Sequence, residues 1–288
     1  MSATAQVSAS GPLALICGGG SLPLAVADSV AAQGRQVLLF PLHGAADPTD
    51  FAKRPHHWLY VGQAGKFERL AHAAGCHDVV LIGSLLRPAL WQIRPDWRTL
   101  MLMPRIIAAY SGGDDHLLKN IGRLFEENGF HVLGAHEVAP EILMPGSVLG
   151  RAQPSERDRS DIALGFDYLR ASAPFDVGQA VVVADRHVLA VEAAEGTDEM
   201  LSRIAHMRAS GRVRAPAGHG VLVKGPKHGQ DRRFDLPSIG PQTVEHVAYA
   251  GLAGIAVAAG STIVAEAERL VQEADRANVF VVGIPTGQ

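Results

Sequence analysis

Residues 13–34 read LALICGGGSLPLAVADSVAAQG, and this stretch decides the fold. Its first five residues, Leu13 to Cys17, are apolar and bounded by a glycine run, the pattern of a short buried strand. Gly18, Gly19, Gly20 and Ser21 turn the chain. The alanine-rich run over 22–33 then reads as a helix that Gly34 stops. Strand, glycine turn and helix in that order open a parallel sheet with crossover helices. The pattern recurs downstream. Strands are expected over 36–40, 58–61, 79–82 and 130–133, and helices over 66–74, 101–110 and 115–127. The 111–115 stretch SGGDD separates the last two helices and reads as a helix start with acids near the free N–H groups. Residues 1–139 are therefore expected to be a Rossmann-like, parallel-sheet α/β domain.

The 140–154 stretch, PEILMPGSVLGRAQP, holds three prolines and two glycines and reads as a linker. Beyond it, a helix is expected over 155–171. Two strands follow within 179–192, around a turn at Asp185, Arg186 and His187. The run Glu195-Gly196-Thr197-Asp198-Glu199 then starts a helix, with Thr197 as its N-cap. Short strands over 221–223, 254–257, 262–264 and 279–282, with helices over 242–252 and 266–277, make residues 155–288 a second, mixed α/β domain.

Composition bounds the function. The 288 residues are 47% hydrophobic and 19% charged, which suits two domains with well-filled cores. A formal charge of -3 argues against nucleic acid as the main partner. The cysteines, Cys17 and Cys76, stand in apolar contexts and point to a reducing compartment. The first residues lack a cationic region before a long apolar run, and no stretch approaches the ~20 apolar residues of a membrane span. A soluble, cytoplasmic protein is expected.

Several loops carry groups that do chemistry. The glycine turn, with Gly19, Gly20 and Ser21, lies where backbone N–H groups and a helix dipole favour a phosphate. As a dinucleotide fingerprint it is poor: Pro23 stands where a third glycine belongs, and Phe40, Pro41, Leu42 and His43 stand where an acid should end the second strand. Gly83, Ser84 and Arg87 follow one expected strand, and His136 with Glu137 follows another. Arg87 could meet an anion, and the His136–Glu137 pair a metal or a substrate hydroxyl. Taken singly, each also reads as a surface charge or a packed histidine. The richest stretch is 220–240, GVLVKGPKHGQDRRFDLPSIG. It sets Lys224, Lys227, His228, Arg232 and Arg233 on a turn after a buried strand and closes on Asp235. Cations so placed could hold phosphate oxygens, and the carboxylate a metal ion or a water. A solvated loop kept soluble by its charges is the bland alternative.

GGGSLP, GSLLRP, SGGDDHLL, ENGFHVLGAHEV, AVEAAEGTDEML, the KGPK element and FDLPSIG occur here in the order found in bacterial UDP-2,3-diacylglucosamine pyrophosphatases of the metal-dependent, two-domain type. The chain resembles that family over nearly its whole length. The resemblance implies hydrolysis of the pyrophosphate of UDP-2,3-diacylglucosamine to UMP and 2,3-diacylglucosamine 1-phosphate in lipid A biosynthesis. It also implies dependence on Mg²⁺ and a substrate held between the two domains. Asp235 matches the family's essential aspartate, and Lys224 and Lys227 match its basic positions. Two departures stand out: His228 replaces a frequent proline, and Ser84 a frequent asparagine.

The residues suit that chemistry. Cleaving P–O–P needs charge neutralised on oxygens, which lysines, a helix N-terminus and Mg²⁺ can supply. Asp235, as an ordinary carboxylate, is a weak base at neutral pH and is assigned to the metal. Glu195, His136 and Glu137 are further candidates for metal or sugar contacts, and Gly196 with Thr197 for a phosphate. The segments around Leu85, Trp91 and Met101 could receive acyl chains, or else form core or a homodimer contact. The lipid substrate itself implies transient contact with the inner face of the inner membrane. A nicotinamide-dependent oxidoreductase and a non-catalytic UDP-sugar sensor are the other two function classes. The carboxylate beside the cations separates the enzyme from the sensor.

Overall fold

The computed structural model describes residues 11–84, 94–110, 114–175, 177–227, 231–234 and 236–285. The chain divides into two units, Met1–Pro140 with Asp231–Phe234, and Glu141–Gln230 with Asp235–Gln288.

In the first unit the opening apolar run forms β1 (Leu13–Cys17), buried along its whole length, and the alanine-rich run forms α1 (Leu22–Ala32). Then come β2 (Val37–Pro41), the single turn α2 (Pro48–Phe51), α3 (Ala64–Ala73), β3 (Asp78–Ile82), α4 (Trp97–Tyr110), α5 (Asp114–Glu127), β4 (His131–Leu133) and the short α6 (Ala135–Val138). The four strands are parallel in the order β2-β1-β3-β4. Phe40, Phe67 and Phe130 are buried on this sheet, with Phe40 and Phe67 edge to face at 4.9 Å between ring centroids. Fully burying each such ring contributes about 1.5–3 kcal/mol.

One expected strand is absent. Residues 58–61 form no strand: Leu59 makes an isolated bridge to Leu42, and just before the stretch His56 makes one to Leu39. The alternation of Trp58 and Tyr60 serves ring stacking instead. His43 lies 4.8 Å from the Trp58 ring and 4.1 Å from that of Tyr60, and the Arg94 guanidinium covers Tyr60 at 4.1 Å.

The second unit holds β5 (Val148–Leu149), α7 (Glu156–Ser172), β6 (Ala180–Ala184), β7 (His187–Val191), α8 (Gly196–Ala209), β8 (Val221–Lys224), β9 (Ser238–Ile239), α9 (Pro241–Tyr249), β10 (Gly254–Ala258), β11 (Ile263–Val264), α10 (Ala267–Ala277) and β12 (Phe280–Ile284). Six strands form a mixed sheet in the order β5-β12-β10-β8-β6-β7, with β8, β10 and β12 parallel. β9 and β11 form a small parallel pair. Strands β6 and β10 are buried at every position, because one face of the sheet packs on residues such as Met200, Ile204 and Leu270 and the other on Ile162 of α7.

The 140–154 stretch differs from a free linker. Its prolines and glycines shape an irregular path, yet β5 pairs antiparallel with β12 and Met144 is 1% exposed in the core of the second unit. The expected turn at Asp185, Arg186 and His187 is two residues long, His187 already opening β7: Asp185 and Arg186 have positive φ, 49° and 61°, the geometry of a tight hairpin between β6 and β7.

Candidate functional site

Because the four strands of the first unit run parallel, the loops that leave β1, β3 and β4 share one edge, where open α/β sheets place ligands. There the glycine turn is bonded to its neighbour. Gly18 N–H donates to Ile82 O at 2.8 Å, Gly19 N–H to Ser84 O at 2.7 Å, and Ser84 N–H to Gly19 O at 2.9 Å. The backbones approach so closely that a Cβ on Gly18 would stand 2.6 Å from Ser84 O, and one on Gly83, at φ +102°, 2.8 Å from the Gly18 carbonyl carbon. Gly18, Gly19, Gly83 and Ser84 thus join two loops. Gly20 differs: at φ +88° it faces open space. The first turn of α1 follows from Ser21 with no side-chain cap and no acid.

His136 and Glu137 lie at the same edge, in α6. Glu137 accepts from Gly134 N–H at 2.6 Å and so closes the start of that short helix. His136 Nδ1 is buried with no hydrogen-bond partner among the described residues. Burial first, and then the charge of Arg232, push its pKa below the usual histidine value, while Glu137 and Asp231 pull the other way. The ring is therefore neutral at pH 7. It is suited to hydrogen bonding or to ligation and not to serving as a cation.

In the second unit, antiparallel pairing of β6 with both β7 and β8 brings the end of β7 and the end of β8 to one edge. Lys224 closes β8, and its ammonium donates to Thr197 Oγ1 and to Ser238 O, each at 3.1 Å. Thr197 is in helix α8 itself and not its N-cap. The cap residue is Glu195, which makes no side-chain cap hydrogen bond. The Thr197 hydroxyl instead donates to Glu192 Oε1 at 2.7 Å, and Glu192 Oε2 accepts from Gln179 N–H at 2.7 Å. Sequence reasoning misses Glu192, since a single glutamate just after a strand gives no local signal. Glu195 pairs with Arg203 at 2.9 Å on the surface. Gly196 has φ +82° and faces open space. Lys227 is half-buried three residues beyond Lys224.

The structure thus brings Lys224 to Thr197, Gly19 to Ser84, and Glu137 to Gly134. Arg87, His228 and Asp235 lie outside the described residues, as do residues 85–93 and their apolar side chains. Among the described residues no group of three or more His, Cys, Asp or Glu side chains could hold a metal ion. Among the described residues no helix is long and apolar enough to cross a membrane.

Residues 12–142 match the family model of the LpxI N-terminal domain, and residues 145–282 that of the LpxI C-terminal domain. A curated relative, the UDP-2,3-diacylglucosamine pyrophosphatase LpxI of Caulobacter vibrioides, is 40% identical over 272 residues, covering 94% of this chain and 97% of the relative. The two halves match in order and together span both structural units, so the chain belongs to the LpxI family.

Proposed function

We propose that this protein hydrolyses the pyrophosphate bond of UDP-2,3-diacylglucosamine, yielding UMP and 2,3-diacylglucosamine 1-phosphate, in lipid A biosynthesis. One observation carries the reading: the relative of that name is matched over 97% of its length at 40% identity. The site geometry supports it. Lys224 is fixed at the carboxyl edge of β8 by the Thr197 hydroxyl and the Ser238 carbonyl, with Lys227 close by in sequence. Ammonium groups there neutralise charge that builds on phosphate oxygens as the P–O–P bridge breaks. Gly20 and Ser21, before the uncapped start of α1, are the proposed phosphate contacts of the first unit.

Mg²⁺ enters the proposal through the family resemblance, with Asp235 as its carboxylate. The described residues supply no ligand set around one point. When bound, such an ion neutralises diphosphate oxygens and polarises the phosphorus under attack. The acylated substrate sits in a bilayer, so transient contact with the inner face of the inner membrane is part of the proposal.

The test is UMP release from UDP-2,3-diacylglucosamine, with Mg²⁺ and with EDTA, by the wild type and by Asp235→Ala. Mg²⁺-dependent release that the variant lacks, while it still binds substrate, is the expected result. A folded wild type that releases no UMP overturns the reading. Release that persists in Asp235→Ala keeps the enzyme and removes Asp235 from its chemistry.

A further inference from the structure

We propose that Glu192 is a positioning residue of the Lys224 site, acting through the Thr197 hydroxyl. The inference rests on the pyrophosphatase reading. A threonine hydroxyl has one proton and two acceptor lone pairs, whereas an ammonium only donates. The Thr197 proton is given to Glu192 Oε1 at 2.7 Å. What the hydroxyl then presents to Lys224 is a lone pair, and it accepts from the ammonium at 3.1 Å. Glu192 thereby sets the direction of this short chain of hydrogen bonds, and its negative charge lies one hydroxyl away from a cation that must stay charged to bind phosphate oxygens.

Strand pairing alone does not account for the side chain. Glu192 N–H donates to Ala180 O at 2.9 Å, and its carbonyl accepts from Gly178 N–H at 3.0 Å, so the backbone makes the edge contacts unaided. The side chain is clamped separately, with both carboxylate oxygens accepting, one from Thr197 and one from Gln179 N–H. Residue 178 leaves it room: a Cβ there would stand 2.5 Å from Glu192 Cγ.

An amide in place of the carboxylate breaks this pattern. Glu192→Gln offers one acceptor oxygen to two donors, Thr197 Oγ–H and Gln179 N–H. If the amide nitrogen turns to Thr197, the hydroxyl accepts from it as well as from the ammonium, and its own proton loses the acceptor that fixed its direction. The test is a double-mutant cycle in kcat/KM for UMP release, with Glu192→Gln, Thr197→Val and the pair, each checked for folding by thermal unfolding. Glu192→Gln is expected to cost about 10–100-fold in the wild-type background. It should cost less than about twofold once Thr197→Val has cut the link. Equal losses in both backgrounds, or no loss in the wild type, overturn the positioning role while the hydrolase reading stands. A wild type without UMP release overturns the hydrolase reading itself.

Discussion

The ring of Phe234 rests on Gly122: a Cβ at that position of α5 would stand 2.5 Å from Phe234 Cζ. Beside it Arg233 bonds Glu126 of the same helix at 2.7 Å, so residues 231–234 are fastened to α5 by a ring and an ion pair. Glycine within a helix costs about 1 kcal/mol relative to alanine, and the ring contact gives a reason for it here. Gly122→Ala is expected to destabilise the protein by about 1–3 kcal/mol, as overpacking does. In a Phe234→Ala background the same change should turn stabilising, by about 0.5–1 kcal/mol, because only the helix preference remains. Urea unfolding of the four proteins measures both signs. A penalty that persists without the ring refutes the contact.

The β6–β7 hairpin has a different fastening. Asp161 of α7 is 0% exposed and accepts from Asp185 N–H at 3.0 Å and Arg186 N–H at 2.7 Å. Removing the carboxylate leaves two turn N–H groups without their acceptor in a packed interface. Asp161→Ala is therefore expected to cost about 2–4 kcal/mol in urea unfolding. Arg186→Gly, at φ 61°, should instead gain about 0.5–1 kcal/mol by relieving a left-handed side chain. Equal and small effects from both changes would refute the assignment.

Acid should weaken the ion pair of Asp231 with Arg233, 2.8 Å apart. Hydrogen bonding from the Arg233 guanidinium holds the Asp231 carboxyl below the usual aspartate range, against a smaller opposing effect of burial. A folded-state pKa below the unfolded one means that the unfolded chain takes up a proton first as pH falls. The stabilisation is therefore complete above the unfolded value of about 4 and is lost as pH drops through the depressed folded value. Asp231→Asn removes the ionisation. Its stability deficit should be constant from pH 7 to about 5 and shrink below about 4, as read by urea midpoints across pH. A deficit unchanged at low pH contradicts the ion pair.

Local pattern made much of this chain legible. Leu13–Cys17 and the helix after it were readable because an apolar run, a glycine turn and an alanine-rich stretch leave few alternatives. Trp58 and Tyr60 misled for a physical reason: alternating aromatics satisfy a strand pattern, yet here their rings stack on His43. Lys224 could be picked out as a cation at a strand end, but the Glu192–Thr197 support behind it arises only when β7 and β8 meet at one edge. Phe234 looked like part of the FDLPSIG motif. Its contact with Gly122, 112 positions earlier in the chain, has no periodicity to announce it.

Cys17 gives a prediction at the opposite end of the pH range. It ends β1 at 0% exposure, with its thiol donating to Leu15 O at 3.3 Å. Burial pushes its pKa up to about 12, only partly offset by a backbone hydrogen bond involving Phe40. The folded protein therefore holds the thiol proton after the unfolded chain has released it. The contribution is complete below the unfolded thiol value of about 8.5–9 and is lost as pH rises toward the folded value. In a Cys76→Ser background the native Cys17 thiol should stay inert to a maleimide at pH 8 and react at full rate in denaturant, because the thiolate is the nucleophile. Cys17→Ala removes the ionisation. The stability difference between wild type and this variant should accordingly be level up to about pH 8.5 and move against the wild type above it. Comparing the two proteins at each pH cancels the lysines and tyrosines that titrate alongside. A difference that stays level to pH 10.5, or rapid native labelling at pH 8, would place the Cys17 thiol in contact with solvent and contradict the packing of β1.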